Sequence, residues 1–256
     1  MGVFQRVLGA IALVALAQFS LIERPAAETA SLGSSGSEVT FASPEEGITF
    51  FTSALKQIDA PAALSAFAIE GRASGLSFIE MGKRLRAVLL MNGFAPERYE
   101  FYDDANRAKV FAEAAIQIRN LTYSLILPPD TDITETILFD KDGDLDALAS
   151  EVEARLDPAR LRSLKLLRTG MARPAAAAAE HYKKSIAGQM RASGGDDLQE
   201  WVALYDLDGV TYMAGFTFVQ YGERWQILTL TSPLANTPGM GAAVLKTEAS
   251  FFDLIK

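Results

Sequence analysis

From Ser43 onward the apolar positions fall first into helical spacing and later into the alternation of strands. Ile48, Phe51, Leu55 and Ile58 recur at intervals of three, four and three, which is one face of an α-helix. Its start is written in Ser43-Pro44-Glu45-Glu46. Ser43 can cap, Pro44 suits the first helical position, and Glu46 three residues on completes a capping box. Asp59-Ala60-Pro61 predicts a second, short helix burying Leu64 and Phe67. Ser77 to Met91 reads as a third helix, stopped at Asn92-Gly93 by a pair that tolerates left-handed backbone. A fourth, capped by Asp103 or Asp104, runs through Ala108, Phe111, Ala115 and Ile118 to Asn120. The apolar run Leu121 to Leu127, closed by Pro128-Pro129, is expected to be extended.

Thr131 to Phe139 carries β-branched and aromatic residues and predicts a strand. Leu145 to Leu156 is expected to be helical. Asp157-Pro158 restarts a helix through Leu167, and Pro174 opens another that fades at Ser193-Gly194-Gly195. The chain then changes character. Trp201 to Tyr205, Thr211 to Val219 and Trp225 to Thr231 read as three strands, with Asp208-Gly209 and Gly222-Glu223 as hairpin turns. A loop from Ser232 to Gly241 and a short helix from Thr247 close the sequence. Helices early and an antiparallel meander late predict an α+β fold, one domain over residues 43–256.

The first 22 residues have a different pattern. Met1 to Arg6 carries one positive charge and runs into the apolar stretch Val7 to Val14, followed by Ala15-Leu16-Ala17. A basic start, an apolar run and a small-x-small triplet are the parts of a secretory signal. If the apolar stretch instead continues to Ile22, across Gln18 and Ser20, it reads as a retained anchor, shorter than the roughly 20 apolar residues of a spanning helix. Cleaved signal is the preferred reading. Both readings place the remainder outside the cytoplasm, in the periplasm or cell envelope, touching the membrane only through this segment if it is kept. Residues 23–42, which include Gly33-Ser34-Ser35-Gly36-Ser37, have linker composition.

Composition narrows the chemistry. With 24 basic against 32 acidic residues the formal charge is −8, which repels phosphate backbones and argues against a nucleic-acid partner. The absence of cysteine removes disulfides, thiolate metal sites, iron–sulfur clusters and cysteine nucleophiles. The one histidine, His181, excludes multi-histidine metal sites and would have to serve any Ser-His-Asp device. In its helical, polar-ended stretch it reads as a surface residue. There is neither a Walker loop nor a Gly-x-Gly-x-x-Gly, and no cofactor is expected.

Asp140, Asp142, Asp144 and Glu151 occupy loop positions one, three, five and twelve of a calmodulin-type calcium site. Leu145 stands where the sharp turn needs glycine, so a strand-to-helix turn whose acids cap the next helix is the simpler reading. Ser53-Ala54-Leu55-Lys56 has the Ser-x-x-Lys spacing of penicillin-recognising enzymes, and Lys246-Thr247-Glu248 resembles their third element. Glycine is missing from the third element and the Ser-Asp-Asn element is absent. Arg160, Arg162, Lys165 and Arg168 form a basic stretch that reads as the solvated surface of a helix. The aromatic residues of the meander, with Tyr205, Tyr212 and Trp225 as candidate ligand contacts, are expected to form core more often than a pocket.

Two stretches carry a resemblance. Ser43 to Phe51, with Ala54-Leu55-Lys56 and Asp59 to Phe67, resembles the first two helices of exported bacterial nuclear-transport-factor-2-like domains, a cystatin-like α+β group. Asp208 to Phe216 and Gly222 to Ile227 resemble their last hairpin, and the Trp-x-Ile ending followed by Ser232-Pro233-Leu234-Ala235 is similar to envelope proteins of unknown function. The resemblance covers about a quarter of the chain. It implies a curved sheet wrapped around helices as a cone with an apolar cavity, and a helical lobe inserted at residues 144–193. Enzymes of that superfamily use an Asp–His pair in the cone, whereas His181 lies outside the matched stretches. The expected function is therefore a non-enzymatic binding or scaffold domain of the cell envelope. Its partner is a small apolar ligand or an envelope protein. The alternatives are a carboxylate/tyrosine acid–base enzyme and a calcium-responsive protein acting through residues 140–151.

Overall fold

The meander is the frame on which everything else is hung. β2 (Asp197–Leu207) and β3 (Val210–Tyr221) pair antiparallel along their whole length, and β4 (Arg224–Thr229) returns along the far end of β3. Asp208 and Gly209 both take positive φ, 52° and 82°, the twist a two-residue hairpin between right-twisted strands demands. β1 (Lys165–Met171) adds to the outer edge of β2, giving the order β1-β2-β3-β4, and the short β5 (Val244–Leu245) pairs with β3 at Tyr212 and Met213. The sheet is open, not closed. Leu167 and Leu228 are extra residues opposite β2 and β3, and such bulges bend a strand locally. This computed structural model describes residues 38–88, 93–128 and 145–256, all within the compact unit Ser35–Lys256.

Both faces of the sheet are covered, because alternation sends apolar side chains each way. Ala203, Tyr205, Tyr212, Ala214, Phe216, Phe218 and Ile227 face one side. They pack there against α1 (Pro44–Gln57), α2 (Ala60–Ser65) and the 27-residue α5 (Glu100–Ile126). Val202, Leu204 and Met213 face the other side, under Phe251 of α8 (Glu248–Ile255) and Ala235. Leu198, Val219 and Leu228 lie under Ile186 and Met190 of α7 (Ala179–Ser193). These three clusters are drawn from residues between Val39 and Ile255, so this part of the chain carries its own core.

Local chemistry fixes the helix ends. Ser43 Oγ accepts the Glu46 N–H at 3.2 Å, as the capping pattern predicts, while the Glu46 carboxylate accepts the N–H of Ala42 and not that of Ser43. Thr247 and Ser250 form a complete capping box at the start of α8. Gly194 ends α7 with φ 70°, and a Cβ there would lie 2.2 Å from the Gly75 carbonyl oxygen. Glycine is required at that position twice over, by the backbone and by the close approach of α3 (Ile69–Gly75).

Several expected boundaries are corrected by tertiary contacts. The linker does not extend to residue 42, since Phe41 is buried and exchanges backbone hydrogen bonds with Trp225. The third helix is shorter than expected and is preceded by the unanticipated α3. It is α4 (Phe78–Leu85), and it stops because Arg86 adopts the left-handed conformation. α5 begins at Glu100, which puts Asp103 in its first turn, and it absorbs the run read as extended. Leu121, Leu125 and Ile126 recur at helical spacing and are essentially inaccessible, so burial decided between two conformations the sequence permitted. Asp157-Pro158 opens only a 3₁₀ turn, Pro158–Ser163, and residues 165–171 are then drawn into β1 by the free edge of β2. The 144–193 stretch is therefore not a purely helical lobe. It holds α6 (Leu145–Arg155), the 3₁₀ turn, β1 and α7. The strand expected over Thr131–Phe139 lies outside the described residues.

Candidate functional site

The space where a cone-shaped fold would hold a ligand is filled. The Phe51 ring meets Phe67 at 6.1 Å and Phe216 at 5.8 Å, both edge-on, and Phe218 stacks on Phe216 at 6.1 Å. Tyr205 is fully buried beside them, its hydroxyl 3.1 Å from Thr52 Oγ1. Thr52 donates its own proton to the Ile48 carbonyl at 2.7 Å, so the Tyr205 O–H is the donor of that pair. Its polar tip is thus used inside the core.

The other two aromatic candidates do not join it around one cavity. Tyr212 is the cross-strand partner of Tyr205 and lines a polar cleft with Leu127, Arg155, Asp157 and Arg160. Trp225 pairs with Gln220 at the opposite end of β3 and bridges to Phe41. What sequence reading missed is an open groove on the helical side, of about 280 Å³, between the end of α1, α2, α5 and the 3₁₀ turn. Its walls are almost wholly apolar, with Leu55, Ile58, Leu64, Ala115 and Leu161 among them, and Asp59, Arg119 and Tyr123 stand at its rim. Asp59 is committed to capping α2, accepting the Ala62 N–H at 2.9 Å. Arg119 lies 6.0 Å from the Tyr123 ring and, among the described residues, has no carboxylate partner.

Ile58 is the one clue the sequence held. It follows the helical spacing of α1, but no glycine separates α1 from the Asp59 cap of α2. The reversal falls on Ile58 itself, at φ 58° and ψ 36°, and leaves the side chain 39% exposed on the groove. A β-branched residue in the left-handed region is a strained conformation of the kind that clusters at ligand sites.

The remaining candidates are dispersed. Asp140, Asp142 and Asp144 lie outside the described residues, while Glu151 sits on α6 in an ion pair with Arg155. Among the described residues no group of three or more acids or histidines is placed to hold a metal ion. His181 is exposed on α7, and Ser53 is exposed on α1, accepting from Gln57. The basic stretch is not a helix surface. Arg160 bonds Asp208 and the Ile126 carbonyl, Lys165 faces Asp206, and Arg168 lies near Glu248 and over the Phe252 ring. A carboxylate and a tyrosine do meet at Glu200 and Tyr182, but behind the sheet, where Glu200 is buried, and the pair lines neither groove nor cleft.

Burial holds the hydroxyls of Tyr205, Tyr221 and Tyr182 above the ordinary tyrosine range, and the charge of Glu200 adds to the effect at Tyr182. Their folded values exceed the unfolded value of about 10. The stabilisation is then fully present below about pH 10 and lost as pH rises through the folded values. The urea midpoint is expected to stay level up to about pH 9.5 and to fall above about 10. A midpoint that held steady to about pH 11 would contradict these buried hydroxyls.

No protein-family model and no curated protein sequence matches the chain. Among solved structures it is similar to a cystatin-like protein from Ruminococcus gnavus, with a TM-score of 0.55 and 19% identity. The likeness covers 79% of this chain and 44% of that one, so this chain corresponds to less than half of that protein. At this identity the likeness concerns the fold, a cystatin-like α+β architecture of helices on an antiparallel sheet.

Proposed function

We propose that the protein is a non-enzymatic binding domain of the bacterial cell envelope, and that the groove between α1, α2 and α5 takes a small apolar group carrying a carboxylate. The observation that carries this reading is the contrast between a fold interior filled by aromatic rings and an apolar groove left open beside strained Ile58. About 280 Å³ is at the lower end of ligand pockets, roughly 300–1,000 Å³, which suits an aliphatic or aromatic acid better than a large cofactor. Unpaired Arg119 at the rim supplies the charge that would orient a carboxylate. The export-like leader supports an envelope location, and the resemblance of residues 43–67 and 208–227 to exported nuclear-transport-factor-2-like domains agrees with the cystatin-like architecture.

The test is thermal denaturation with a panel of short aliphatic and aromatic carboxylates. A ligand at a hundred times its Kd stabilises by about 2.7 kcal/mol. In a domain of this size that is on the order of 5–10 °C. Ala115→Phe, which fills the groove from α5, should abolish the shift. Ile58→Gly should raise the ligand-free Tm by relieving the backbone while weakening the shift. A panel that leaves Tm unchanged, or a shift that survives Ala115→Phe, rules the groove out as the binding site.

A further inference from the structure

We propose that α4 and the first turn of α5 form a docking surface for an anionic lipid bilayer, separate from the groove and independent of what the groove binds. α4 is a helix of the domain with no buried residue. Phe78 and Met81 are half-buried, while Ile79 is 63% exposed and Val88, just beyond the helix, 68%. At the start of α5, Tyr99 and Tyr102 stand out of the surface and Phe101 is 85% exposed, its ring 5.2 Å from that of Tyr102. The two segments are tied together, because the Glu97 carboxylate accepts the Phe78 N–H at 3.0 Å. Asn106 holds the intervening chain by bonding both backbone groups of Ala95. The apolar residues therefore belong to one surface.

Charge selects the partner. The protein as a whole is acidic, yet Lys83, Arg84, Arg86 and Arg98 surround these residues. The neighbouring acids are mostly engaged. Glu80 pairs with Lys83 and Arg191, Glu97 with the Phe78 backbone, and Asp104 with Arg107. Glu100 and Asp103 lie in the first turn of α5, where the helix dipole favours them. Among the described residues, Arg84, Arg86 and Arg98 have no carboxylate partner. Aromatic and aliphatic side chains that protrude singly between free cations fit a deformable apolar medium under anionic headgroups, and give a folded partner no groove to fill. Among the described residues no helix is long and apolar enough to cross a membrane, so the attachment is one that lies on the surface.

The test is co-sedimentation of residues 38–256, which carry the described core without the apolar leader, with vesicles of phosphatidylcholine alone or mixed with phosphatidylglycerol. Binding is expected to the mixed vesicles and to weaken as salt is raised. Ile79→Ser with Phe101→Ser should reduce the partition coefficient about tenfold or more, by removing the inserted apolar groups. Arg84→Glu with Arg86→Glu should remove the preference for phosphatidylglycerol. All four positions are exposed, and an unchanged Tm confirms that each variant is folded. A wild-type chain that ignores both vesicles, or a serine variant that binds as well as wild type, overturns the proposal. So does loss of a protein complex in these variants without any vesicle binding, which would give the surface to a protein partner.

Discussion

Phe51→Ala should destabilise the protein by about 3–5 kcal/mol, the range for removing a fully buried phenyl ring from a packed core. Phe51 is 0% exposed and forms the junction between the helices and the sheet, touching Phe67 on one side and Phe216 on the other. The neighbouring rings cannot both collapse into the space, because Phe216 is fixed on the central strand and Phe67 is bridged to Ile227. With a total stability of roughly 5–15 kcal/mol, such a loss brings the protein near its folding threshold. Tm should fall on the order of 10 °C. A urea titration that found less than about 1 kcal/mol would mean the interior is loosely filled. The ligand cavity would then belong in the wedge between sheet and helices, and not in the surface groove.

The second large effect is expected at Glu200. Its carboxylate is 3% exposed on the back of β2, where it accepts the Ser232 hydroxyl at 2.7 Å and the Leu234 N–H at 2.9 Å. Ser232 in turn donates its N–H to Thr237 Oγ1 at 2.7 Å. The loop after β4 is thus pinned to the sheet by one acidic side chain. Glu200→Ala strands a buried hydroxyl and a buried N–H, and should cost about 2–5 kcal/mol. Glu200→Gln keeps one carbonyl oxygen as acceptor and should cost distinctly less. Removing the charge should also bring the Tyr182 hydroxyl back toward its ordinary range, since Glu200 is one of the causes that raise it. Faster amide exchange confined to residues 232–237 in the alanine variant would locate the effect. Equal stability of the two variants would show that the loop is held by its own turn and not by the carboxylate.

Where a residue's environment is its own chain neighbourhood, the sequence was informative. Ser43, Asp59, Asp157 and Thr247 each cap the helix or 3₁₀ turn that their spacing announced. Asp208-Gly209 turns between β2 and β3 because only residues tolerant of positive φ make that hairpin. The alternation along the last three strands marked both faces of the sheet, and with them the α+β class. The groove was not legible. It is formed by residues from 54 to 161, and the one local sign was an isoleucine where a glycine would have ended α1 without strain.

What the amino-acid sequence settled by itself is what short-range stereochemistry and residue type settle: caps, turns, the period of apolar positions, and the chemistry removed by a chain with no cysteine and one histidine. Tertiary structure decided the rest. Leu121 to Ile126 became helix because burial against the sheet favoured it, and residues 165–171 became strand because β2 had an unpaired edge. Phe41 entered the core through a backbone bridge to a residue 184 positions away, and Tyr205 found its acceptor 153 positions away. Both outcomes have the same cause. Burial free energy and hydrogen-bond satisfaction depend on which segments meet, and no window along the chain contains that information.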